Sequence, residues 1–504
     1  NKTSITANGL EVLTQYKIRV KYNSDLYGSS NWIEVTGTTL DIYVKNPTIT
    51  VEGAPSDVPE TPTLTTSAFS VFNGTDVHSS TDWKVYDGVT LVWESLADAT
   101  NKLSIVVPSG ILEVSKTYTF KAKHNGTTYG SSAYAETTGT TKAAFSIEYG
   151  LQWNNTADTY TRLGAAASWT TGASFTNNVT VQSRMRRCVL NANGTVNYYL
   201  SATDSTKRED GVTAADLTGA SGNVMVEIPK FWVKYDNTTS AKQMWISTGP
   251  SAGYVVHPAF VKNGVEVDYR YYRAYKGSVS GTKLISRSGV AAAGNETIAA
   301  FRTKAQANGT GWGLIDWHLL FAVQTLLFIE IGTFNSQAVL GNGNDTGSDY
   351  GMTTGGSNSI GNASSPSTND DTWMSYRGIE NFYADIFEWI DGINISERLV
   401  YTSNTQSTFA SDVFSGGYTS TGVTLPSSGY IKDMSFSING LIPTNSAGGS
   451  DSTYVTDYVV SYAGARVAAF GGYASNGLLC GAAFLHTSIA SSNASTNVGA
   501  GLSF

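Results

Sequence analysis

Short runs in which apolar and polar residues alternate recur along most of the chain, the pattern of half-buried β-strands. The clearest lie in the closing stretch from Gly464 to Phe504. Ala465-Arg-Val-Ala-Ala-Phe470 predicts a strand, Gly471-Gly472 a turn, and Leu478 to Leu485 a second apolar run. In Val498-Gly-Ala-Gly-Leu-Ser-Phe504 the apolar residues Val498, Ala500, Leu502 and Phe504 alternate with Gly and Ser. That alternation predicts a half-buried strand tied into a core. The turn Tyr473-Ala-Ser-Asn476 and the small, polar loop 487–496 are expected to be exposed and held on this frame.

Helical periodicity is confined to two places. Ile298, Phe301 and Ala305 form an apolar stripe over 298–307, with Asn295 as the expected cap and Asn308-Gly309 as the stop. From Ile315 to Ile331 the chain is apolar nearly all round, with Asp316 at its start and Gly332 after its end. Such a helix is expected to be buried between a sheet and other structure. Val224 to Lys234 predicts a strand with Pro229 at an edge or bulge. Residues 341–371 are rich in Gly, Asn and Ser and predict a long surface excursion.

An internal repeat organises the front of the chain. Leu10 to Ser30 aligns without gaps, at an offset of 102, with Leu112 to Ser132, and the match continues from Glu34–Thr39 to Glu136–Thr141; half of the thirty paired positions are identical. A period near 100 residues filled with short strands means tandem β-sandwich modules. The pattern Leu-x5-Tyr-x-Ile/Phe-x-Val/Ala followed by Gly-Ser-Ser resembles the second half of a fibronectin type III module, which implies that Tyr16 and Tyr118 tie their hydroxyls back to the backbone. The expected division is the C-terminal part of one such module over 1–45, a second over 46–142, a β-rich connecting region over 143–222, and a C-terminal domain over 223–504. The first module lacks a front half, so the chain is expected to begin inside a module.

A second resemblance rests on Gly378-Ile-Glu-Asn-Phe-Tyr-Ala-Asp-Ile-Phe-Glu-Trp-Ile-Asp-Gly392 and on Ala465-Arg-Val-Ala-Ala-Phe-Gly-Gly-Tyr473. The first resembles the Gly-Asn-Val-Trp-Glu-Trp signature, and the second the Arg-Val-x-x-x-Gly-Gly-Ser-Trp strand, of the C-type-lectin-like fold found in formylglycine-generating enzymes. The same variant occurs in retroelement variable proteins and phage tail receptor-binding proteins. Ala384-Asp385 stands where the pattern has Gly-Asn. Blocks at 186–191, 225–231, 256–264 and 326–332 are similar to those of phage tail proteins, so the likeness covers roughly 145–504. It implies a mainly β chain with a smaller α+β part: Ig- or fibronectin-like sandwiches followed by a C-type-lectin-like head with two main helices. It also implies a virion tail fibre that binds a host cell-surface receptor, glycan or protein, and meets other tail or baseplate proteins through its N-terminal side, as a homotrimer. In diversified members the variable positions fall in the last strands and loops. Here Tyr473, Ser475, Asn476, Leu485, His486, Thr487, Ser491, Ser492 and Asn493 occupy such places, and Tyr, Ser and Asn suit a binding face.

Composition narrows the alternatives. Charged residues are 14% and the formal net charge is −8, which argues against a nucleic-acid partner; Arg184, Arg186 and Arg187 form the one compact basic cluster. The 314–331 run is too short and too polar to span a bilayer. Cys188 and Cys480 lie far apart, without the close pair that a formylglycine-type oxidase needs. Gly249-Pro-Ser-Ala-Gly253 matches a nucleophile-elbow pattern but precedes an extended segment rather than a helix. Glu388 and Asp391 form a candidate carboxylate pair, with a structural role for Glu388, satisfying backbone donors, as the simpler account. The clusters Asn342-Gly-Asn-Asp345 and Asn369-Asp-Asp371 have the oxygen ligands of a calcium site, against which stands plain loop solvation; no other cofactor is implied. Binding rather than catalysis is the expected function. A bacterial surface adhesin with the same head and an enzyme of the formylglycine class are the alternatives.

Overall fold

Mainly β, with a smaller helical part, the chain divides into two units, residues 1–144 and 145–504. The computed structural model describes all residues except 1–5, 9, 12, 109, 143–145, 238–240 and 367–371.

In the first unit, a four-stranded sheet built on His78–Asp87 and Thr117–Gly126 faces a three-stranded sheet built on Thr63–Thr66. Alternate residues of both point inward, so Trp83, Val85, Tyr118 and Phe120 meet Val51 and Leu64 in one core. The repeat is a repeat of hydrogen bonds as well as of sequence. Tyr118 Oη accepts from Glu113 N, and Tyr16 Oη from Glu11 N, both at 2.9 Å. The Thr141 hydroxyl accepts from Lys116 N as the Thr39 hydroxyl does from Thr14 N. Strand register is also shared, Tyr16 opposite Gly37 and Tyr118 opposite Gly139. The copies differ in burial. Phe120 and Ala122 are core, whereas their counterparts Ile18 and Val20 are about half exposed.

Three large sheets form the body of the second unit, with four two-stranded ones beside them among the described residues. The five-stranded one is centred on Lys242–Ser247, and the six-stranded one on Asn223–Pro229 and Tyr269–Arg273. The eight-stranded one is centred on Phe387–Ser396 and Ala465–Phe470. Residues 146–222, read from the sequence as a connecting region, supply strands to the first two sheets, with Arg186–Leu190 paired to Asn223–Pro229. That segment shares the unit's main core through Tyr149, Trp153 and Val189.

Four α-helices are present among the described residues: α1 (Ala173–Asn177), α2 (Ile298–Gln306), α3 (Trp317–Ile331) and α4 (Ser336–Leu340). In α2 the expected stripe Ile298, Phe301 and Ala305 is buried, but the cap is Thr297, whose side chain accepts from Ala300 N. Asn295 instead takes a left-handed φ of 65° two residues before the cap. For α3, Asp316 caps the start by accepting from Leu319 N, and Gly332 ends it at φ 74°. Every residue of α3 is buried, and it packs against both Glu148–Asn154 and Phe387–Ser396, strands of two different sheets.

The closing stretch departs from expectation. Residues 498–503 are buried on both faces rather than half-buried. Val498–Ala500 runs parallel to Phe387–Trp389 in the eight-stranded sheet, and Leu502–Ser503 then pairs with Tyr272 and Leu314 in the six-stranded one. Gly and Ser alternate here because their side packs tightly, not because it meets water. A Cβ on Gly499 would lie 2.4 Å from Ala293 O, and one on Gly501 would lie 2.6 Å from Glu388 Oε1. The apolar run 478–485 is a 3-10 turn at Gly477–Leu479 followed by loop, and only Leu485–Thr487 is strand.

Candidate functional site

Strand pairing brings the candidate surface together. Tyr458–Ser461 runs parallel to Leu485–Thr487 with Val460 opposite His486, and Tyr430 lies opposite Tyr458 on the other side. Alternation then puts Tyr430, Tyr458, Val460 and His486 half-exposed on one face, while Val459, Leu485 and Thr487 are buried on the other. The expectation that Leu485 and Thr487 face a receptor is therefore corrected. Leu485 packs in the main core, and the Thr487 hydroxyl donates to Val460 O at 2.9 Å.

A continuous chain of ring contacts backs this face: its tyrosines and His486 are partly exposed, and Phe484 and Phe387, 1% and 3% exposed, link them from beneath. Tyr430 meets Tyr458 at 5.2 Å, Tyr458 meets Phe484 at 6.2 Å, and Phe484 meets Phe387 at 5.2 Å. Phe387 stacks on His486 at 4.9 Å and touches Tyr473 at 5.4 Å, which in turn meets Tyr350 at 5.4 Å. Each ring is braced by the next, so the polar-edged faces are presented with little rotamer freedom left to lose. Tyr350 is 41% exposed and marks the outer end of the row.

Polar loops frame the rings. Tyr473 and Asn476 close their turn on each other: Asn476 N donates to Tyr473 O at 3.0 Å and Tyr473 N to Asn476 Oδ1 at 3.2 Å. Ser475 is exposed, and its hydroxyl donates to Gly347 O at 2.8 Å, which fastens the turn to the 341–351 loop. Ser491 donates to the Asp412 carboxylate, Ser492 is exposed, and Asn493 closes a turn by donating from its N to Ala490 O at 3.0 Å. Burial pushes the His486 imidazole down to about 4, so it is neutral at physiological pH, with one ring nitrogen 3.1 Å from the Ser488 hydroxyl. The surface thus offers stacking faces, hydroxyls, amides and a neutral imidazole.

Tyr350, Tyr430 and Tyr458 escaped the sequence reading. Tyr458-Val-Val460 carries the alternation of a strand, but which strand it pairs with is set by a parallel contact with 485–487 that no local pattern encodes.

The remaining candidates have structural places. Glu388 does not serve backbone donors: it forms a buried ion pair with Arg273, with Lys276 Nζ 3.5 Å away. Asp391 pairs with Arg302. Both cysteines are free and buried, in different core clusters, and burial pushes their thiols well up. Ser251 donates to Glu148 and is followed by the Val255–Val256 strand. Arg187 is buried against Gly378 O, Ser205 and Ser357, and Arg186 pairs with Glu209 and Glu227, so the basic cluster is not a patch. Asn344 donates its amide to Asp349 O and Asp385 Oδ1. Among the described residues no three His, Cys, Asp or Glu side chains are grouped to hold a metal; Asn369–Asp371 lies outside them. No helix of the described residues is long and apolar enough to cross a membrane.

No family model and no curated protein matches the chain. Among solved structures, it is similar to the α-L-rhamnosidase of Streptomyces avermitilis complexed with L-rhamnose, at 9% identity and a TM-score of 0.17, covering 46% of this chain and 23% of that one. It is also similar to the α-L-rhamnosidase of Dictyoglumus thermophilum, at 9% identity and a TM-score of 0.19, covering 45% of this chain and 27% of that one. The chain thus spans about a quarter of the length of each, and likeness at this level carries no argument about fold or activity.

Proposed function

We propose that the chain is a phage tail fibre or adhesin that attaches a virion to a host cell-surface receptor through its C-terminal unit, acting by binding rather than by chemistry. The observation that carries this reading is the braced row of rings from Tyr430 to Tyr350, framed by Ser and Asn loops. Such a surface recognises the apolar faces of sugars or side chains by stacking and their polar edges by hydrogen bonds. The resemblance to C-type-lectin-like tail proteins supports the same reading, and the repeated module of residues 10–142 suits a spacer. Trimeric assembly would turn weak single contacts into firm attachment.

The test is adsorption of the fluorescently labelled full chain to a panel of bacterial strains. Tyr458→Ala and Tyr473→Ala are expected to lower cell-bound signal about tenfold or more, the scale of an aromatic hot spot, with thermal stability kept. Unchanged adsorption by both variants would rule this surface out. Tail and baseplate genes beside the coding sequence separate the virion reading from a bacterial adhesin carrying the same head.

A further inference from the structure

At the other edge of the eight-stranded sheet from the ring row lies a separate cavity of about 320 Å³. Its walls come from three rigid elements. Thr402 and Thr419 are register partners on neighbouring strands, with Asn404 just beyond the first. Ile438 and Asn439 form the turn between Asp433–Ser437 and Gly440–Asn445, pinned to α3 because Trp317 Nε1 donates to Asn439 O at 2.7 Å. His318, the second residue of α3, closes the inner end.

Three features of this cavity point to a ligand. The side chains of Thr402, Asn404, Thr419 and Asn439 make no hydrogen bond to any described residue, although each can both donate and accept. His318 is only 6% exposed, yet neither ring nitrogen has a hydrogen-bond partner among the described residues; Nδ1 is sealed and unpartnered, which leaves Nε2 as the nitrogen open to the cavity. Of these groups Thr402 and His318 are buried, 7% and 6% exposed, and buried polar groups are normally satisfied, whereas Asn404 and Thr419 stand exposed at the rim. No charged side chain lines the cavity, and its apolar walls are the buried Pro258 and Ile438, which is 45% exposed at the mouth.

The geometry points to a binding site for a single neutral, polyhydroxylated ring of hexose size, its hydroxyls taken by Thr402, Asn404, Thr419, Asn439 and His318 and one C–H face laid on Ile438. The volume sits at the low end of ligand cavities, roughly 300–1,000 Å³, so one small ring is what it admits. An anion is excluded by chemistry, because nothing there would neutralise a buried carboxylate or phosphate. Burial pushes His318 down to about 4, so the ring meets the ligand neutral, through Nε2 alone, which donates or accepts according to the tautomer. This site does not depend on the receptor-binding reading of the ring row.

Saturation-transfer NMR on the full chain tests it, with glucose, galactose, mannose, N-acetylglucosamine and their methyl glycosides as probes and glucuronate as the charged control. At least one neutral sugar is expected to bind and glucuronate is not. Thr419→Val and Asn404→Ala, both at exposed positions, should each weaken binding about fivefold, the loss of one or two neutral hydrogen bonds. Binding of methyl glycosides marks a glycan-borne sugar and binding of free hexoses alone a soluble one; either supports the site. Absence of binding by every neutral sugar, or binding that survives both cavity variants, overturns it.

Discussion

Ala384 and Asp385 both adopt left-handed backbone angles, φ 62° and 64°, in the tight turn that leads into Phe387–Ser396. L-residues with a Cβ meet the following carbonyl there, at a cost of roughly 1–2 kcal/mol. Gly or Asn would tolerate the angle, so Ala384 holds strain that the surrounding core imposes. Ala384→Gly is expected to raise stability by about 0.5–1 kcal/mol in chemical denaturation, less than the full strain because glycine loses more backbone freedom on folding. A lower midpoint would show that the buried Ala384 methyl contributes more than the angle costs. Single residues were legible where chemistry is local: Asp316 as a cap and Gly332 as a stop follow from side-chain reach alone. Thr297 was missed in favour of Asn295 because both are good caps, and only the backbone angle at Asn295 decides between them.

At the scale of elements, α2 and α3 were readable because helical periodicity and all-round apolarity are properties of consecutive residues. The partners of Glu388 and Asp391 were not, since Arg273 and Arg302 lie far off in sequence and meet them only across packed elements. In the first unit, neighbouring strands place His78 and His124 with ring centroids 4.5 Å apart beneath Phe69. His124 is fully buried, its Nε2 meets the Thr66 hydroxyl at 3.0 Å, and burial together with His78 pushes its pKa down to about 4; His78 is lowered too. A histidine held below its unfolded value contributes stability that is complete above about pH 6.5 and is lost as pH falls toward 4, where the unfolded chain binds the proton first. The first unit should therefore lose stability through His124 over that window. Thermal unfolding followed from pH 7 to 4.5 should show the loss, and His124→Gln, which keeps a polar partner for Thr66 but cannot titrate there, should flatten it. An equally steep slope in the variant would assign the effect elsewhere.

For the molecule as a whole, the repeat in sequence reappears in the first unit as paired hydrogen bonds, because the same Tyr and Thr side chains close the same turns twice. The ring row was half legible. Tyr473 and His486 belong to one stretch, but Tyr350, Phe387, Tyr430 and Tyr458 arrive from four others, assembled by pairings separated by tens of residues. The closing stretch, which crosses from the eight-stranded sheet at Val498–Ala500 to the six-stranded sheet at Leu502–Ser503, bears on how this chain is made. During synthesis on the ribosome both sheets wait, each short of a strand, until Ser503 has left the exit tunnel. A chain stopped at Asn497 should keep much of its far-ultraviolet dichroism, lose its near-ultraviolet signal and bind ANS, the behaviour of a collapsed but unlocked intermediate. A native near-ultraviolet spectrum from that shortened chain would show that the two sheets lock without the crossing.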